Sequence, residues 1–246
     1  MSNLNQKVAI ITGSSRGIGV EIAQQFAKTG VKVVVNYSES KDSADHIVNT
    51  ILEEGGEAIA IQANVSKTED VSRLFDDAMA HFGRIDILVN NAGLMLNSLI
   101  EDTAEDVFEK QMNVNVKGVF NTLREASTKL ADNGSVIIFL STVTRTIFPT
   151  YGIYSATKAA VEQMSKVFAK EIGRRGINVN CVLPEPTSTS LFLKGKSEKL
   201  IDQIASANAF NRLGTPDDIA KIVAFLASDD AKWISAQSIG ANGGMA

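Results

Sequence analysis

Short apolar runs alternate with longer amphipathic stretches along the whole chain. The runs are V-A-I-I-T (8–12), K-V-V-V-N (32–36), A-I-A-I-Q (58–62), I-D-I-L-V-N (85–90), V-I-I-F-L-S (136–141) and I-N-V-N-C-V-L (177–183). They are apolar throughout rather than at every second position, which predicts strands buried on both faces. Between them apolar residues recur at helical spacing: Ile22, Phe26 and Ala27; Val71, Leu74, Phe75, Ala78 and Phe82; Val161, Met164, Val167, Phe168 and Ile172. This alternation predicts an α/β fold, a doubly wound parallel sheet with right-handed crossovers and helices on both faces. No linker, repeat or low-complexity tract divides residues 1–246, so a single domain is expected.

The four prolines fall late, at Pro149, Pro184, Pro186 and Pro216. Pro216 follows Thr215, a suitable N-cap, and so marks the first residue of a helix. The segment 187–213 is less regular and contains Leu191-Phe192-Leu193. It reads either as a flap over a site or as a surface helix pair.

Composition narrows the class. The chain is 44% hydrophobic and 21% charged, ordinary for a globular protein. A net charge of −4 gives no electrostatic footprint for nucleic acid or an anionic membrane. Cys181 is the single cysteine and has no partner for an internal disulfide, which suits a reducing compartment. The start, M-S-N-L-N-Q-K, lacks the apolar stretch of a signal peptide, and no apolar run approaches a membrane span. A cytoplasmic protein is expected.

Two motifs carry chemistry. T-G-S-S-R-G-I-G (Thr12 to Gly19) closes the first strand and opens a helix. Its glycines allow a tight turn and close backbone approach, and the helix N-terminus offers free N–H groups to a pyrophosphate. The spacing is G-x-x-x-G-x-G, neither the G-x-G-x-x-G nor the Walker pattern. The second strand ends in Asn36-Tyr37-Ser38, without the carboxylate that commonly binds the ribose hydroxyls of NAD. Arg16 lies inside the turn, where a guanidinium pairs well with a 2′-phosphate. Both observations favour NADPH, with NADH possible. Tyr154 and Lys158 stand one helical turn apart in Y-S-A-T-K, and a nearby ammonium is expected to lower the tyrosine pKa.

Taken together the chain resembles the short-chain dehydrogenase/reductase family over essentially its whole length. The marks are T-G-S-S-R-G-I-G, N-N-A-G (90–93), Asn115 in V-N-V-K-G, Ser141 thirteen residues before Tyr154, the Tyr154/Lys158 pair and A-N-G-G (241–244). The resemblance implies a Rossmann-like domain with a seven-stranded sheet, a homotetramer, and no metal. It implies that Tyr154 is the general acid, that Lys158 assists it and binds the nicotinamide ribose, that Ser141 holds the substrate oxygen, and that Asn115 holds a relay water. It further implies a cofactor site made by Gly13, Ser15, Arg16, Gly17, Ile18, Gly19, Tyr37, Ser38, Asn64, Val65, Asn91, Ala92, Gly93, Pro184, Thr187 and Thr189. Asn90 would pack beside it, and the side chain of Asn64, where the family usually has Asp, would accept from adenine.

Two departures stand out. Glu185 occupies a place where the family commonly has glycine, so a positive φ and a carboxylate near the nicotinamide are expected there, tuning substrate choice or cofactor affinity. Ala236 also replaces a usual glycine. Candidate pocket residues are Met95, Val143, Phe148, Glu185, Leu191 and Phe192, with Leu94, Leu96 and Ile153 nearby. Their largely apolar character suggests hydrophobic ketones, keto esters or the corresponding alcohols. A 3-oxoacyl-carrier-protein reductase is the alternative: Arg174-Arg175 would then flank the entrance, while Ala131-Asp132-Asn133 is poorly suited to an acidic carrier. A third reading is a silent NADP-binding redox sensor.

Overall fold

The structure, a computed structural model, describes residues 4–246, without the side chain of Leu191. The candidate pocket residue Leu191 therefore lies outside the described side chains. Seven strands form one parallel sheet: β1 (Val8–Ile11), β2 (Lys32–Tyr37), β3 (Ala58–Gln62), β4 (Ile87–Asn90), β5 (Ser135–Phe139), β6 (Asn178–Pro184) and β7 (Ser238–Ala241). Their order is β3-β2-β1-β4-β5-β6-β7. The six apolar runs became β1 to β6. The seventh strand, S-I-G-A, pairs with β6 at the sheet edge and is only partly buried, so it lacks the apolar signature of the others.

Helices cover both faces. On one side lie α1 (Ile18–Lys28), α2 (Lys41–Glu53) and α10 (Pro216–Ala227), packed around Ile11, Val33 and Val35. On the other lie α3 (Thr68–Phe82), α5 (Gly118–Lys129) and α7 (Gly152–Ile172), packed around Ile10, Val34 and Leu88. Alternate residues of β1 and β2 thus serve opposite cores, which is why Val8–Ile11 and Val33–Val35 are apolar without a break. The expected stripe of α7 holds at Val161, Phe168 and Ile172, but Val167 is 51% exposed because it lies on the outer face of that helix. Shorter helices complete the chain: α4 (Glu105–Met112), α6 (Val143–Thr146), α8 (Ser190–Leu193) and α9 (Glu198–Ala205). No helix of the described residues is long and apolar enough to cross a membrane.

Thr215 caps α10 through the amide of Asp218, whose carboxylate accepts from the Thr215 amide in return. This reciprocal cap, with Pro216 at the first helical position, is the start signal read from the sequence. Ala236 has a φ of +60°, the left-handed conformation that glycine adopts freely. Ala236→Gly is expected to stabilise the protein by about 0.5–1 kcal/mol, relief of that strain outweighing the added unfolded-chain entropy. Thermal melting checks it; an unchanged or lower midpoint would show that the alanine methyl, packed on the core, matters more.

The strand order reverses between β1 and β4, whose carboxyl ends are neighbours. Open parallel sheets place ligand sites at such a switch point. The turn after β1 and the N-N-A-G segment after β4 meet there.

Candidate active site

The β1–α1 turn is locked from both sides. Asn91 Nδ2 donates to the carbonyls of Thr12 and Gly13 at 2.9 and 3.0 Å. Thr12 Oγ1 accepts from the amides of Asn91 and Ala92, both at 3.0 Å. From β2, Asn36 Oδ1 accepts from Gly13 N, and its Nδ2 donates to the carbonyls of Ile61 and Ala63. So Asn36, which the sequence showed as a missing acid, is fully engaged in holding three strand ends together.

Gly13 and Gly17 both have a φ of +63°. A Cβ on Gly13 would lie 2.9 Å from Ala92 Cα, and one on Gly19 would lie 2.7 Å from Asn91 Nδ2. Gly17 is the N-cap of α1 and supplies no side-chain cap, so the first N–H groups of that helix remain available to an anion. Ser15 and Ile18 flank this cradle; Arg16 is exposed and makes no ion pair among the described residues. Thr189, at the start of α8, passes 3.8 Å from the Cβ position of Gly17. The loop after β6 therefore closes over the phosphate end of the cleft. These features fit a dinucleotide.

The adenine end differs from expectation in one respect. Asn64 Oδ1 accepts from both the amide and the hydroxyl of Ser66, at 3.0 and 2.8 Å. The loop itself engages the acceptor that the sequence offered to adenine. Val65 is buried against Gly118, Tyr37 is buried and Ser38 is exposed.

At the reacting end, Tyr154 and Lys158 share one face of α7, with the Lys158 Nζ 5.7 Å from the Tyr154 ring centre. Burial pushes the Tyr154 phenol up to about 12, against the opposing hydrogen bond with Ser141. This is opposite to the lowering expected from Lys158. The lysine is itself buried: its Nζ donates to the Phe139 carbonyl at 2.8 Å, and burial brings its pKa down to about 8. In this state Lys158 is directed at the end of β5 and is a weakened cation.

Asn115 sits in a π-helical turn, Asn113–Lys117, between α4 and α5. Its Oδ1 accepts from Leu94 N at 2.9 Å, and its Nδ2 donates to Leu94 O at 2.8 Å and to Thr157 Oγ1 at 3.1 Å. A Cβ on Gly93 would find Asn115 Oδ1 at 3.4 Å and Lys158 Nζ at 3.5 Å, so these three residues form one cluster. Gln111, fully buried and absent from the sequence reading, grips Leu96 in the same two-bonded manner. Met95 is held between the two gripped residues and is 40% exposed.

Val143 and Phe148 line an apolar groove of about 220 Å³ with Ile147 and Tyr151. Tyr151 was also missed in the sequence; its ring lies 6.5 Å from that of Tyr154. Phe192 is partly buried and its amide caps onto Thr189. Pro184 ends β6, where its carbonyl accepts from the buried hydroxyl of Thr142; Thr187 is buried beside it.

Two expectations are corrected. Glu185 does not have a positive φ: its amide continues toward the Ala241 carbonyl in the manner of β6. Its carboxylate bonds Asn208 Nδ2 at 2.9 Å. Arg174 and Arg175 precede β6, at the amino ends of the strands, the edge opposite the cleft within one chain. Arg175 there is engaged by Asp132 and by the carbonyls of Ser127 and Leu130.

Glu162, one turn beyond Lys158, accepts from Arg145, Lys166 and Ser238 at 2.6, 2.9 and 2.9 Å. It thereby ties α6, just after Ser141, to α7 and β7. Burial alone would raise its pKa, but these hydrogen bonds outweigh it and hold the carboxyl at about 2, below the usual 4.5. A depressed carboxylate stabilises fully above its unfolded value and loses that stabilisation as pH falls through the folded one. We expect the wild type to lose about 2 kcal/mol between pH 5 and pH 2 through this group, a loss absent from Glu162→Gln. Melting curves over that range check it; parallel curves for the two proteins would refute it.

The sequence pattern described as enoyl-(acyl carrier protein) reductase, of the short-chain dehydrogenase type, matches residues 13–246. An uncharacterised oxidoreductase of Methylorubrum extorquens is 43% identical, with the whole of both chains covered. An NADPH-dependent aldehyde reductase-like chloroplastic protein of Arabidopsis thaliana is 39% identical over 97% of this chain and 93% of its own. Among solved structures, the angucycline C-6 ketoreductase LanV with bound NADP superposes with a TM-score of 0.93 at 34% identity, covering 99% of this chain and 97% of that one.

Proposed function

This chain belongs to the short-chain dehydrogenase/reductase family of oxidoreductases, and within it we propose an NADPH-dependent carbonyl reductase acting on hydrophobic ketones or keto esters. The observation that carries the proposal is the convergence of Ser141, Tyr154, Lys158 and Asn115 beside a glycine cradle open to an anion. NADPH-dependent and NADP-bound relatives support the cofactor assignment.

The nicotinamide, when bound, supplies the hydride. The chain's own residues handle the oxygen and the proton. Tyr154 holds its proton firmly near neutrality, as a general acid must before transfer. Ser141, in hydrogen-bond contact with the phenol, fixes its direction and offers a donor to the same carbonyl oxygen. When Tyr154 gives up its proton, Lys158 stabilises the phenolate. Asn115 holds the Gly93–Leu94 backbone so that the lysine has room. Gly13, Gly17, Gly19 and the N-terminus of α1 receive the pyrophosphate, and Arg16 the 2′-phosphate. The apolar wall of Val143, Ile147 and Phe148 favours hydrophobic carbonyls over sugars. Phe120 on α5 and Val167 on α7, each about half exposed, are apolar surface that the homotetramer expected from the resemblance would cover.

The test is NADPH and NADH oxidation over aryl ketones, β-keto esters and an oxoacyl thioester. Preferential turnover of ketones with NADPH supports the reading, and equal use of NADH would sink the cofactor assignment. Arg16→Ala is expected to reduce the NADPH-over-NADH preference by about tenfold, the loss of one charged contact to a phosphate. The ratio of kcat/KM for the two cofactors measures it.

A further inference from the structure

The segment between Ser188 and Leu213 has one buried residue among those described, and it is not apolar: it is Asn208, 4% exposed. Among the described side chains, none of α8 or α9 belongs to either hydrophobic core. With little of the segment buried, hydrogen bonds weigh heavily in where it rests.

Its neck is closed by the Ser188 amide on the Gly214 carbonyl at 2.8 Å, beside a Thr187–Gly214 bridge. Its returning leg is held by Asn208, by the Ala209 amide on the Gly243 carbonyl at 2.9 Å and by the Arg212–Asp218 ion pair, and of these Asn208 alone reaches the end of β6. Asn208 Nδ2 donates to Glu185 Oε2 at 2.9 Å and to the Arg212 carbonyl, and Oδ1 accepts from Phe210 N at 2.8 Å. Every polar atom of the amide is in use. Glu185 is itself 8% exposed and continues directly from β6, part of the rigid sheet. At the other end of the segment, Thr189 lies over Gly17 in the phosphate turn. The eighteen residues between Asn208 and Thr189, most of them exposed, link the returning leg to the residue covering the cofactor cleft.

We propose that Glu185 and Asn208 form a clamp that sets the resting position of the 188–213 segment over the cleft, which makes Glu185 a positioning residue for cofactor binding. It rests on the reading that the cleft takes NADPH, and it replaces the expectation that this carboxylate meets the substrate. The clamp stands where a glycine, the residue common at this place, would provide no acceptor at all. Glu185 touches no reacting atom and acts through Asn208.

The experiment combines hydrogen exchange on the cofactor-free protein with NADPH titration by fluorescence, for Glu185→Gly, Asn208→Ala, the pair of changes, and Glu185→Gln. Glu185→Gly and Asn208→Ala each speed exchange across 190–205 by about tenfold and weaken NADPH by about fivefold. KM for NADPH carries most of the loss in kcat/KM. The pair of changes costs no more than either alone, and Glu185→Gln, which keeps an acceptor for Asn208, restores most of both readouts. Unchanged exchange at 190–205 in Glu185→Gly or Asn208→Ala overturns the clamp, and so does a Gln variant as impaired as the Gly one. Wild-type protein that binds no NADPH overturns the reductase reading instead, and the exchange measurement still decides the clamp.

Discussion

Tyr154→Phe is expected to lower kcat for carbonyl reduction by about 10³-fold while leaving NADPH affinity and melting temperature close to wild type. The substitution removes one oxygen and keeps the ring. Its edge contact with Tyr151 and its position over Lys158 survive. What disappears is the proton that the product oxygen needs and the hydrogen bond to Ser141. Hydride delivery to carbon without a proton for oxygen leaves a high-energy alkoxide in a site with no other phenol in hydrogen-bond contact with Ser141. Steady-state rates with the best ketone, alongside an NADPH titration, decide the matter. A variant retaining kcat within tenfold of wild type would show that Ser141 or Tyr151 delivers the proton.

The largest stability effect falls on a residue with no part in the reaction. Asn36→Ala should destabilise the protein by about 3 kcal/mol, lowering its melting point by about 10 °C. Asn36 is 1% exposed, so each group it leaves behind is cut off from water. The Gly13 amide loses its acceptor, and the carbonyls of Ile61 and Ala63 lose a donor. An unmatched buried polar group costs about 1–3 kcal/mol, well above the net value of an ordinary hydrogen bond. Because Gly13 begins the phosphate turn, cofactor affinity should fall as well. Urea unfolding with and without NADPH separates the two effects; a loss below 1 kcal/mol would mean that water reaches this junction.

How legible such features were depended on what each residue touches. The runs that became β1 to β6 announced themselves because both faces of the sheet are covered, so most of their positions are apolar. β7 did not, since S-I-G-A holds one large apolar residue and is only partly buried. Residues of contiguous motifs were equally plain: Gly13 to Gly19, N-N-A-G, and the Tyr154/Lys158 pair. Gln111 and Thr142 were invisible because their partners are main-chain atoms of other segments, and Asn208 because its key partner is a carboxylate 23 residues away; neither arrangement carries a sequence signature. The direction of a known residue was also hidden. Glu185 could be placed after β6 but not aimed, and Lys158 could be placed beside Tyr154 but not tied to the Phe139 carbonyl.

The π-helical turn at Asn113–Lys117 has a consequence for how this enzyme tolerates insertions and deletions. An extra residue in a helix shows as such a bulge, and each residue turns a helix by about 100°. Asn115 reaches Leu94 and Thr157 only because the surplus residue rotates it inward. Deleting one neighbour, such as Val114, would restore a regular ladder and swing the amide away with every side chain of the site still encoded. The site thus depends on helical phase: a gap of one codon in this helix is equivalent to losing the asparagine.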